Sequence, residues 1–509
     1  MDRGEIWRYQ SGVDLDDTIY GAVAISNGSF IVAGETYASW GESNAGASDL
    51  LVARIASNGT LLWAWQNGTL GIDTLKAVAA LDDDSVVVAG YVEGAWNDNP
   101  SFGLTDFAAV KLHSNGTEMW SWQEGTTDFD YMETATVTAD DNIVLSGHTY
   151  GNWTGISPGY ANPVAVKLDA NGMVLWRWQE GTAEFFGGVQ VFASTARPDG
   201  SVVLAGFTDA SWFGALSPEA TTDFMAVALD NEGAELWRWQ DGSDGRNRIY
   251  GAASLADGSV VLVGSTDGDW GGKNEGGRDF AAVKLDVDGV EKWRWQDGTT
   301  GEDEWTTAVS GTDGSIIVAG HTQGSWMGSN KGDRDFAAMS LDAEGVVLWT
   351  YQNGTIADDK IFIAAFREEG DLLLAGSTNG SWESENSDGN KDFAAVLLDT
   401  GMPTITTPSP VHLSAPSSAP TSPSPVHSLD PSSAPTLRSA SSSGSSSGTD
   451  PIIIGVVVAV AASLAVIGVF FFRRTRVTST VGSPAPAEDG DACYPQAVTP
   501  PSRLPPPSA

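Results

Sequence analysis

The chain has 509 residues, 59 of them glycine and 20 tryptophan, and its formal net charge is −40. Basic and acidic residues balance after position 400, so the whole negative charge belongs to residues 1–400. Such a surface repels phosphate backbones and anionic lipid headgroups, which excludes a nucleic-acid-binding protein. The single cysteine, Cys493, excludes an intrachain disulfide and a cysteine-based zinc site. Hydrophobic residues make up 41% of the chain, enough for a sizeable core, so global disorder is excluded as well.

Residues 1–7 contain no apolar segment of the kind that a secretory signal peptide needs, and they run directly into repeated sequence. A large N-terminal domain that crosses a membrane needs an export signal. We therefore expect either a natural N-terminus further upstream or an unconventional export route, and we favour the first.

Residues 5–400 are built from an internal repeat that carries three sequence markers. The first marker, Trp-x-(Trp/Tyr)-Gln-x-Gly, begins at Trp7, Trp63, Trp120, Trp176, Trp237, Trp293 and Trp349. The second is a glycine followed by a downstream tryptophan: Gly34 and Trp40, Gly90 and Trp96, Gly147 and Trp153, Gly206 and Trp212, Gly264 and Trp270, Gly320 and Trp326, Gly376 and Trp382. The third, Asp-Phe, stands at Asp106, Asp223, Asp279, Asp335 and Asp392, and degrades to Asp49-Leu50 and Asn162-Pro163 in two copies. The markers define seven copies.

Each copy is predicted to contain four short strands. In the fifth copy the apolar runs are 249–255, 259–265, 280–285 and 291–296. Tight turns at Asp257-Gly258 and Asp288-Gly289 separate the first pair and the second pair, and such dipeptides favour hairpins because Gly reaches positive φ without strain. No segment in 1–400 shows a sustained helical period, so we expect almost no helix there.

Four antiparallel strands per copy, repeated seven times, predict an all-β fold, a seven-bladed β-propeller spanning residues 5–400. A closed ring hides the sheet edges that a linear stack would expose. The first marker at 5–10 belongs to a fourth strand that no first three strands precede, whereas 392–398 is a third strand with no fourth strand after it. We therefore predict that the N-terminal strand completes the last blade and closes the ring.

The markers, for example Asp279 to Asp286 leading to Trp293-Arg-Trp-Gln-Asp-Gly298, resemble the bacterial-type β-propeller repeat family, a seven-bladed, tryptophan-rich repeat. The resemblance covers 5–400 and implies the fold, but little about a ligand. The Asp-x-x-Gly…Trp turn also resembles the tryptophan-docking repeats of quinoprotein-type propellers. Those enzymes usually have eight blades and a defined quinone and calcium site, for which this sequence has no matching residues.

The repeated tryptophans have two interpretations. A tryptophan at the same place in every blade is expected to pack between blades and to satisfy its indole N–H there. The alternative is lectin-like exposure, since an aromatic face stacks on sugar rings. We favour packing and keep the second interpretation for those tryptophans that follow the glycine marker in a loop.

Other polar residues give weak signals for a metal or catalytic site. The turns 82–84, 169–172 and 286–289 are rich in Asp, but they lack the alternating ligands and terminal Glu of an EF-type calcium loop, so we interpret them as turn residues. His148 and His321 share one repeat position that varies between copies, which indicates spacing rather than a catalytic base. We expect no cofactor, no metal and no enzyme, although a carboxylate pair assembled in the central channel would escape this search.

Seven Asn-x-Ser/Thr sequons lie within 1–400, and none lies beyond the predicted membrane span. Most coincide with Asn-Gly turns, which hairpin chemistry produces in any case. We treat them as candidate N-glycosylation sites, provided that the chain enters a glycosylating secretory path. They are Asn27, Asn58, Asn67, Asn115, Asn152, Asn353 and Asn379.

The rest of the chain predicts a membrane anchor. Residues 401–450 are rich in Ser, Thr and Pro and are expected to form a disordered stalk. Residues 452–472 are uncharged and apolar, long enough for one transmembrane helix, and Arg473, Arg474 and Arg476 follow them. The positive-inside rule then places 1–450 outside or in a lumen and the C-terminus in the cytosol. Residues 473–509 read as a disordered tail whose 500–507 segment is a polyproline candidate for an SH3-type or WW-type partner.

These elements predict a single-pass cell-surface glycoprotein whose extracellular propeller binds a protein or glycan, as an adhesion molecule or receptor does. The alternative is a membrane-tethered hydrolase or lyase with its site at the propeller mouth. An enzyme needs non-repeating polar residues that converge on one end of the channel, whereas uniform loops would leave binding or scaffolding. The insertion near Phe213–Ala220 lengthens one copy to 61 residues and is the first loop to inspect.

Overall fold

The computed structural model describes residues 5–11, 17–26, 28–40, 43–155, 160–182, 187–213, 216–217, 220–311, 313–366, 371–382 and 391–400. These residues form 28 strands and no helix. The predicted stalk (401–450), transmembrane helix (452–472) and tail (473–509) lie outside the described residues. Within the described ranges, no helix is long and apolar enough to cross a membrane.

The strands group into seven four-stranded antiparallel sheets, the blades. Their bounds in chain order are as follows. Blade 1 contains β2 (Asp17–Ala24), β3 (Phe30–Thr36), β4 (Asp49–Ile55) and β5 (Leu61–Asn67). Blade 2 contains β6 (Asp73–Ala80), β7 (Val86–Val92), β8 (Asp106–Leu112) and β9 (Glu118–Glu124). Blade 3 contains β10 (Asp130–Val137), β11 (Ile143–Thr149), β12 (Asn162–Leu168) and β13 (Val174–Gln179). Blade 4 contains β14 (Val189–Ala196), β15 (Val202–Thr208), β16 (Asp223–Leu229) and β17 (Glu235–Asp241). Blade 5 contains β18 (Asn247–Ser254), β19 (Val260–Thr266), β20 (Asp279–Leu285) and β21 (Glu291–Asp297). Blade 6 contains β22 (Asp303–Ser310), β23 (Ile316–Thr322), β24 (Asp335–Leu341) and β25 (Val347–Asn353). Blade 7 contains β26 (Asp359–Phe366), β27 (Leu372–Thr378), β28 (Asp392–Leu398) and β1 (Glu5–Ser11).

The predicted seven-bladed propeller is confirmed. In blades 1 to 6 the strands pair in chain order, and the first strands of neighbouring blades contact one another around the central channel. The second and third strands are buried along their whole length, except for the half-buried Arg54 of β4, as expected for sheets packed face to face in a ring.

The predicted closure is also confirmed, because β1 pairs antiparallel with β28 as the outer strand of blade 7. Gln10 makes the contacts that its counterparts make in other blades. Its Nε2 donates to Asp392 Oδ2 at 2.7 Å, and its Oε1 accepts from the Trp382 amide at 2.8 Å. In blade 5, Gln296 bonds to Asp279 and Trp270 in the same way. The first and third sequence markers therefore meet through this glutamine.

The glycine marker is explained by a β-bulge in the first strand of each blade. In blade 5 the register shifts between Ile249 and Gly251, so Tyr250 is the extra residue. The bulge brings the Arg248 carbonyl oxygen so close to Gly264 that a Cβ there would lie 1.8 Å from it. All seven marker glycines show the same close approach. A bulge re-aims its extra side chain, here into the central channel.

The tryptophans of the first marker pack between blades. Trp237 Nε1 donates to the Val287 carbonyl of the next blade at 2.9 Å, and its ring covers Gly289, a turn residue at φ 77°. Trp63, Trp120, Trp176 and Trp293 make the same contact with the following blade. The interpretation as packing residues is thus confirmed for these five.

The tryptophans of the second marker pack in the opposite direction, onto the preceding blade. Trp326 lies 5.0 Å from the Phe280 ring, and its indole N–H donates to Asp297 at 3.0 Å. Trp270 contacts Phe224 in the same way at 4.6 Å. These side chains are buried or half-buried, which supports packing over lectin-like exposure.

The two faces of the ring differ in loop length. Tight turns such as 255–259 and 286–290 lie at one face. At the other face, longer loops such as 267–278 join the second strand to the third, and each first strand begins there. We call the channel opening at this second face the channel mouth. Loops of this kind usually carry function.

Candidate functional site at the channel mouth

The seven bulge residues form a ring in the channel, which we call the bulge ring. Three pairs of neighbouring members contact one another through their side chains. The Tyr20 ring lies 5.5 Å from the Phe362 ring, and Lys76 Nζ lies 3.8 Å from the centre of the Tyr20 ring. Phe192 lies 5.9 Å from Tyr250. Unlike the packing positions, this position differs in character from blade to blade. Its members are Tyr20, Lys76, Glu133, Phe192, Tyr250, Thr306 and Phe362.

Glu133 is the acidic member of the bulge ring. Its side chain is half-buried, and it has no hydrogen bond or ion pair with any residue that the structure describes. Burial raises the pKa of Glu133, and the charge of Lys76 opposes that shift. A carboxyl whose pKa is raised by burial keeps its proton to higher pH than an exposed one, and it can accept a hydrogen bond from a ligand.

Blades 3 and 4 contribute an aromatic wall to the mouth, which we call the aromatic sector. His148 lies 5.3 Å from Tyr131 and 5.6 Å from Phe192. Phe192 stacks on Phe207 at 5.5 Å. The sector comprises Phe129, Tyr131, His148, Tyr150, Tyr160, Phe192 and Phe207. At its outer edge the Tyr160 ring is 60% exposed, so an aromatic face is open to solvent there.

Blades 5 to 7 contribute a cationic wall, which we call the basic sector. Two of its members, Arg248 and Lys360, are second residues of first strands. The others precede the third strand of their blade, where blades 1 to 4 have Ser48, Thr105, Ala161 and Thr222. The basic sector comprises Arg248, Arg278, Arg334, Lys360 and Lys391.

Carboxylates of blades 6 and 7 face the basic sector. Arg278 Nη1 lies 2.9 Å from Glu304, and Arg278 also pairs with Glu302. Arg334 Nη1 lies 3.0 Å from Asp358, and Lys360 Nζ lies 3.8 Å from the same carboxylate. Burial and the neighbouring Arg334 lower the pKa of Lys360. Two cations thus share one carboxylate.

His148 and His321 both reach the channel mouth, one in each sector. Burial lowers the pKa of His148 to about 4. Burial, together with Lys360, Arg334 and Arg278, lowers the pKa of His321. Each Nδ1 is buried without a hydrogen-bond partner among the described residues. Both imidazoles are therefore neutral at pH 7. They are buried, and the interpretation of this position as spacing rather than as a catalytic base stays a prediction.

A second set of carboxyls lies between blades and repeats around the ring. A Cβ on Gly125 would lie 2.6 Å from Asp106 Oδ1 and 2.8 Å from Asp130 Oδ2, so the two carboxyls crowd the same glycine. Burial, with a contribution from Asp106, raises the pKa of Asp130 to about 7. We call such pairs the interblade carboxyl pairs: Asp49–Asp73, Asp106–Asp130, Asp279–Asp303 and Asp335–Asp359. In a fifth junction Asn247 replaces the second carboxyl.

In the Asp-rich turns, an aspartate side chain accepts hydrogen bonds from backbone amides of its own turn. Asp286 Oδ1 accepts from the amides of Asp288 at 3.0 Å and Val290 at 2.8 Å. Asp169 accepts from Asn171 and Met173 in the same way. The interpretation as turn residues is confirmed for these two. No group of three or more potential metal-ligating side chains occurs within the described part of the chain.

The candidate glycosylation sites differ in exposure. Asn58, Asn115, Asn152 and Asn379 are exposed, whereas Asn67 and Asn353 are half-buried and Asn27 lies outside the described residues. Asn67 Nδ2 donates to Asn97 at 3.2 Å, and Asn353 Nδ2 donates to Glu5. The insertion near Phe213–Ala220 belongs to a loop on the same face as the channel mouth, and 214–215 and 218–219 lie outside the described residues.

Sequence reasoning missed the bulge ring and the basic sector. The bulge needs coordinates, because nothing in the sequence marks the extra residue. The basic sector had a signal. The residue before the Asp-Phe marker changes from Ser, Thr or Ala to Arg278, Arg334 and Lys391 in the last three blades.

No protein-family model and no curated protein matches the chain. Several solved structures are similar in fold. The WD40 domain of Neurospora crassa Pan2 matches 75% of this chain with 96% of its own length, at 11% identity and a TM-score of 0.42. The match to Sqt1 from Chaetomium thermophilum covers 79% of this chain and 100% of Sqt1, at 10% identity and a TM-score of 0.43. The match to the β-propeller domain of the trilobed protease from Pyrococcus furiosus covers 78% of this chain and 95% of that domain, at 8% identity and a TM-score of 0.41. The identification as a propeller rests on the strand pairing described above.

Proposed function

We propose that this chain is a single-pass membrane protein whose propeller faces the outside and binds a glycan at the channel mouth. One observation carries the binding site: the packing positions repeat around the ring, whereas the bulge ring and the two sectors vary between blades. Side chains that differ from blade to blade at the mouth of a repeated scaffold are what a specific binding site requires.

The membrane part of the proposal rests on sequence. The apolar segment 452–472 followed by Arg473 and Arg474 favours one span with the C-terminus in the cytosol. The stalk 401–450 would hold the propeller away from the bilayer. The sequons, which lie within 1–400, would be glycosylated on the outer side of the membrane. We also assign the repeats to the bacterial-type β-propeller repeat family, and the tail to an SH3-type or WW-type partner, on their sequence patterns alone.

Of the two possible ligands, a glycan fits the aromatic sector better than the flat surface of a protein would. Sugar rings present axial C–H groups that stack on aromatic faces, and hydroxyls that bond to neighbouring polar groups. Tyr160 offers an exposed ring, with the Tyr150 ring 5.0 Å away. The Tyr150 hydroxyl, which accepts from Gln190 Nε2 at 3.1 Å, adds a polar group to the same wall.

The alternative function, a membrane-tethered hydrolase or lyase at the mouth, is favoured by one observation. Glu133 has a raised pKa, and it lies in the same channel as the neutral His148 and His321. A carboxyl of raised pKa and a neutral imidazole are groups that acid–base catalysis uses.

The test uses the full-length chain in detergent on glycan and protein arrays. We expect glycan hits that weaken about tenfold in Tyr160→Ala and survive in Tyr160→Phe, which keeps the ring. The control is Phe102→Ala, an exposed aromatic residue in a loop of blade 2 outside the aromatic sector. Hits on proteins alone, or glycan hits insensitive to Tyr160→Ala, would contradict the proposal. Turnover of a model glycoside that disappears in Glu133→Gln would favour the enzyme instead.

A further inference from the structure

We propose that the ligand is an acidic glycan and that the basic sector binds its oxyanion group, a carboxylate, sulfate or phosphate. This inference rests on the proposed function and names the chemistry of its ligand. It starts from the charge distribution. The chain has 26 Lys and Arg against 66 Asp and Glu, yet five of the 26 meet at one side of the mouth. Against the three carboxylates that face them, Glu302, Glu304 and Asp358, the five cations leave an excess of positive charge, and such an excess concentrates anionic ligands.

The other blades show what occupies the same positions where the basic sector is absent. At the residue before the third strand, Ser48 and Thr105 bond through their hydroxyls to the backbone of the next blade's first strand. Arg278 and Arg334 occupy the same position in blades 5 and 6, where a small hydroxyl residue would satisfy the fold. Because the scaffold works without these cations in other blades, their presence indicates a role outside folding.

The carboxylates near the basic sector leave donors unsatisfied. Arg334 bonds to Asp358 through Nη1, but its Nε is buried with no hydrogen-bond partner among the described residues. His321 is 7% exposed, and its buried Nδ1 likewise has no partner in the described chain. Burial and the cations Arg334 and Lys391 lower the pKa of Lys360, even though Asp358 and Glu304 oppose that shift. An oxyanion would accept from Arg334 and offset the repulsion between Arg334 and Lys360.

The basic sector is continuous with the aromatic sector, so one ligand can reach both. The Arg248 guanidinium lies 4.8 Å from the centre of the Phe207 ring, and its Nη1 donates to Tyr250 at 3.4 Å. Tyr250 in turn contacts Phe192. A sugar ring on the aromatic sector would thus place an acidic substituent toward blades 5 to 7.

The test measures binding of the full-length chain in detergent by calorimetry. The probes are a galacturonic-acid tetrasaccharide, its methyl ester, a sulfated neutral tetrasaccharide and inorganic phosphate. We expect at least one acidic oligosaccharide to bind, the ester to bind about tenfold more weakly, and Arg334→Gln and Lys360→Gln each to weaken acidic binding by about tenfold or more. The control is Arg177→Gln, an outer-strand arginine paired with Glu124, which should leave binding unchanged.

The outcomes separate the inference from the proposed function. Equal binding of the acid and its ester, unchanged in Arg334→Gln, overturns the inference while glycan binding stands. Failure of both acidic oligosaccharides on a chain that binds neutral glycans overturns it as well, and failure of every glycan overturns the proposed function. Displacement of bound phosphate by an acidic oligosaccharide supports the inference. Binding of phosphate that neither acidic oligosaccharide displaces contradicts it.

Discussion

The interblade carboxyl pairs predict an unusual pH dependence of stability, and Asp130→Asn tests it. Burial raises the pKa of Asp130 from 3.8 to about 7. The folded chain therefore keeps a proton on this carboxyl that the unfolded chain releases near pH 4. Between pH 4 and 7 the folded state binds more protons, so the free energy of unfolding falls as the pH rises through this window.

The magnitude follows from the shift. Each pKa unit is worth about 1.4 kcal/mol, so Asp130 accounts for a loss of about 4 kcal/mol between pH 4 and pH 8. Asp73, whose pKa burial raises to about 6, adds a loss of about 3 kcal/mol. Asparagine cannot ionise, so Asp130→Asn should match the natural chain at pH 4 and exceed its stability by up to about 4 kcal/mol at pH 8.

The fold already contains a model for this substitution. Asn247, at the same position in blade 5, accepts from the Ser243 amide at 3.1 Å and from Thr266 at 2.7 Å. Its Nδ2 donates to the Thr222 carbonyl at 2.7 Å. Asp130 Oδ1 accepts from the hydroxyls of Thr126 and Thr149, and its Oδ2 accepts from the Thr126 amide. The Asn247 oxygen accepts from all three corresponding donors, so an asparagine oriented in the same way can replace Asp130 and keep those bonds.

The assay is urea unfolding of the full-length chain at pH 4, 6 and 8, followed by tryptophan fluorescence. Repulsion among the chain's excess negative charges also lowers its stability as the pH rises. The control for this effect is Asp288→Asn, which removes one carboxylate from an exposed turn. If Asp130→Asn keeps the pH dependence of the natural chain, the carboxyl pairs are not protonated and the reasoning is wrong.

Two further predictions concern the bulge and the sequons. Gly264→Ala would put a Cβ 1.8 Å from the Arg248 carbonyl oxygen, so we expect a loss of about 3 kcal/mol or more in the same unfolding assay, against little loss for Gly328→Ala in an exposed loop. Equal stability of the two variants would show that the bulge is not rigid. Expression in glycosylating cells should modify the exposed Asn58, Asn115, Asn152 and Asn379 more fully than Asn67 and Asn353, whose amide groups are bonded within the fold, as measured by peptide mass spectrometry. Uniform occupancy of all six would contradict the use of folded-state exposure.

The fold was predictable because its determinants are local and repeated. Asp-Gly and Asn-Gly turns define the hairpins, and the seven copies of one marker count the blades. The closure was predictable from register alone, since Gln10 carries a marker whose partner Asp392 lies at the other end of the repeat.

The candidate site was harder to predict for a physical reason. The bulge residues point into the channel because of a backbone contact between neighbouring strands, as at Arg248 and Gly264, and no residue type announces that contact. Residues such as Arg334 and His321 lie in different strands and loops, so only the folded ring brings them together. Variation at otherwise repeated positions is the one signal that sequence offers for them.

The account depends on the ring being closed by the N-terminal strand, because only a closed ring forms the channel mouth. Hydrogen exchange of the full-length chain measures this directly by comparing β28 with β24, the third strand of blade 6. In an antiparallel sheet about half of the amides of a third strand bond to the fourth strand. We expect β28 to be as protected as β24, and deletion of residues 1–11 to expose about half of its amides while blades 2 to 5 stay protected. Rapid exchange of β28 in the full-length chain, or protection that the deletion does not change, would contradict the closure.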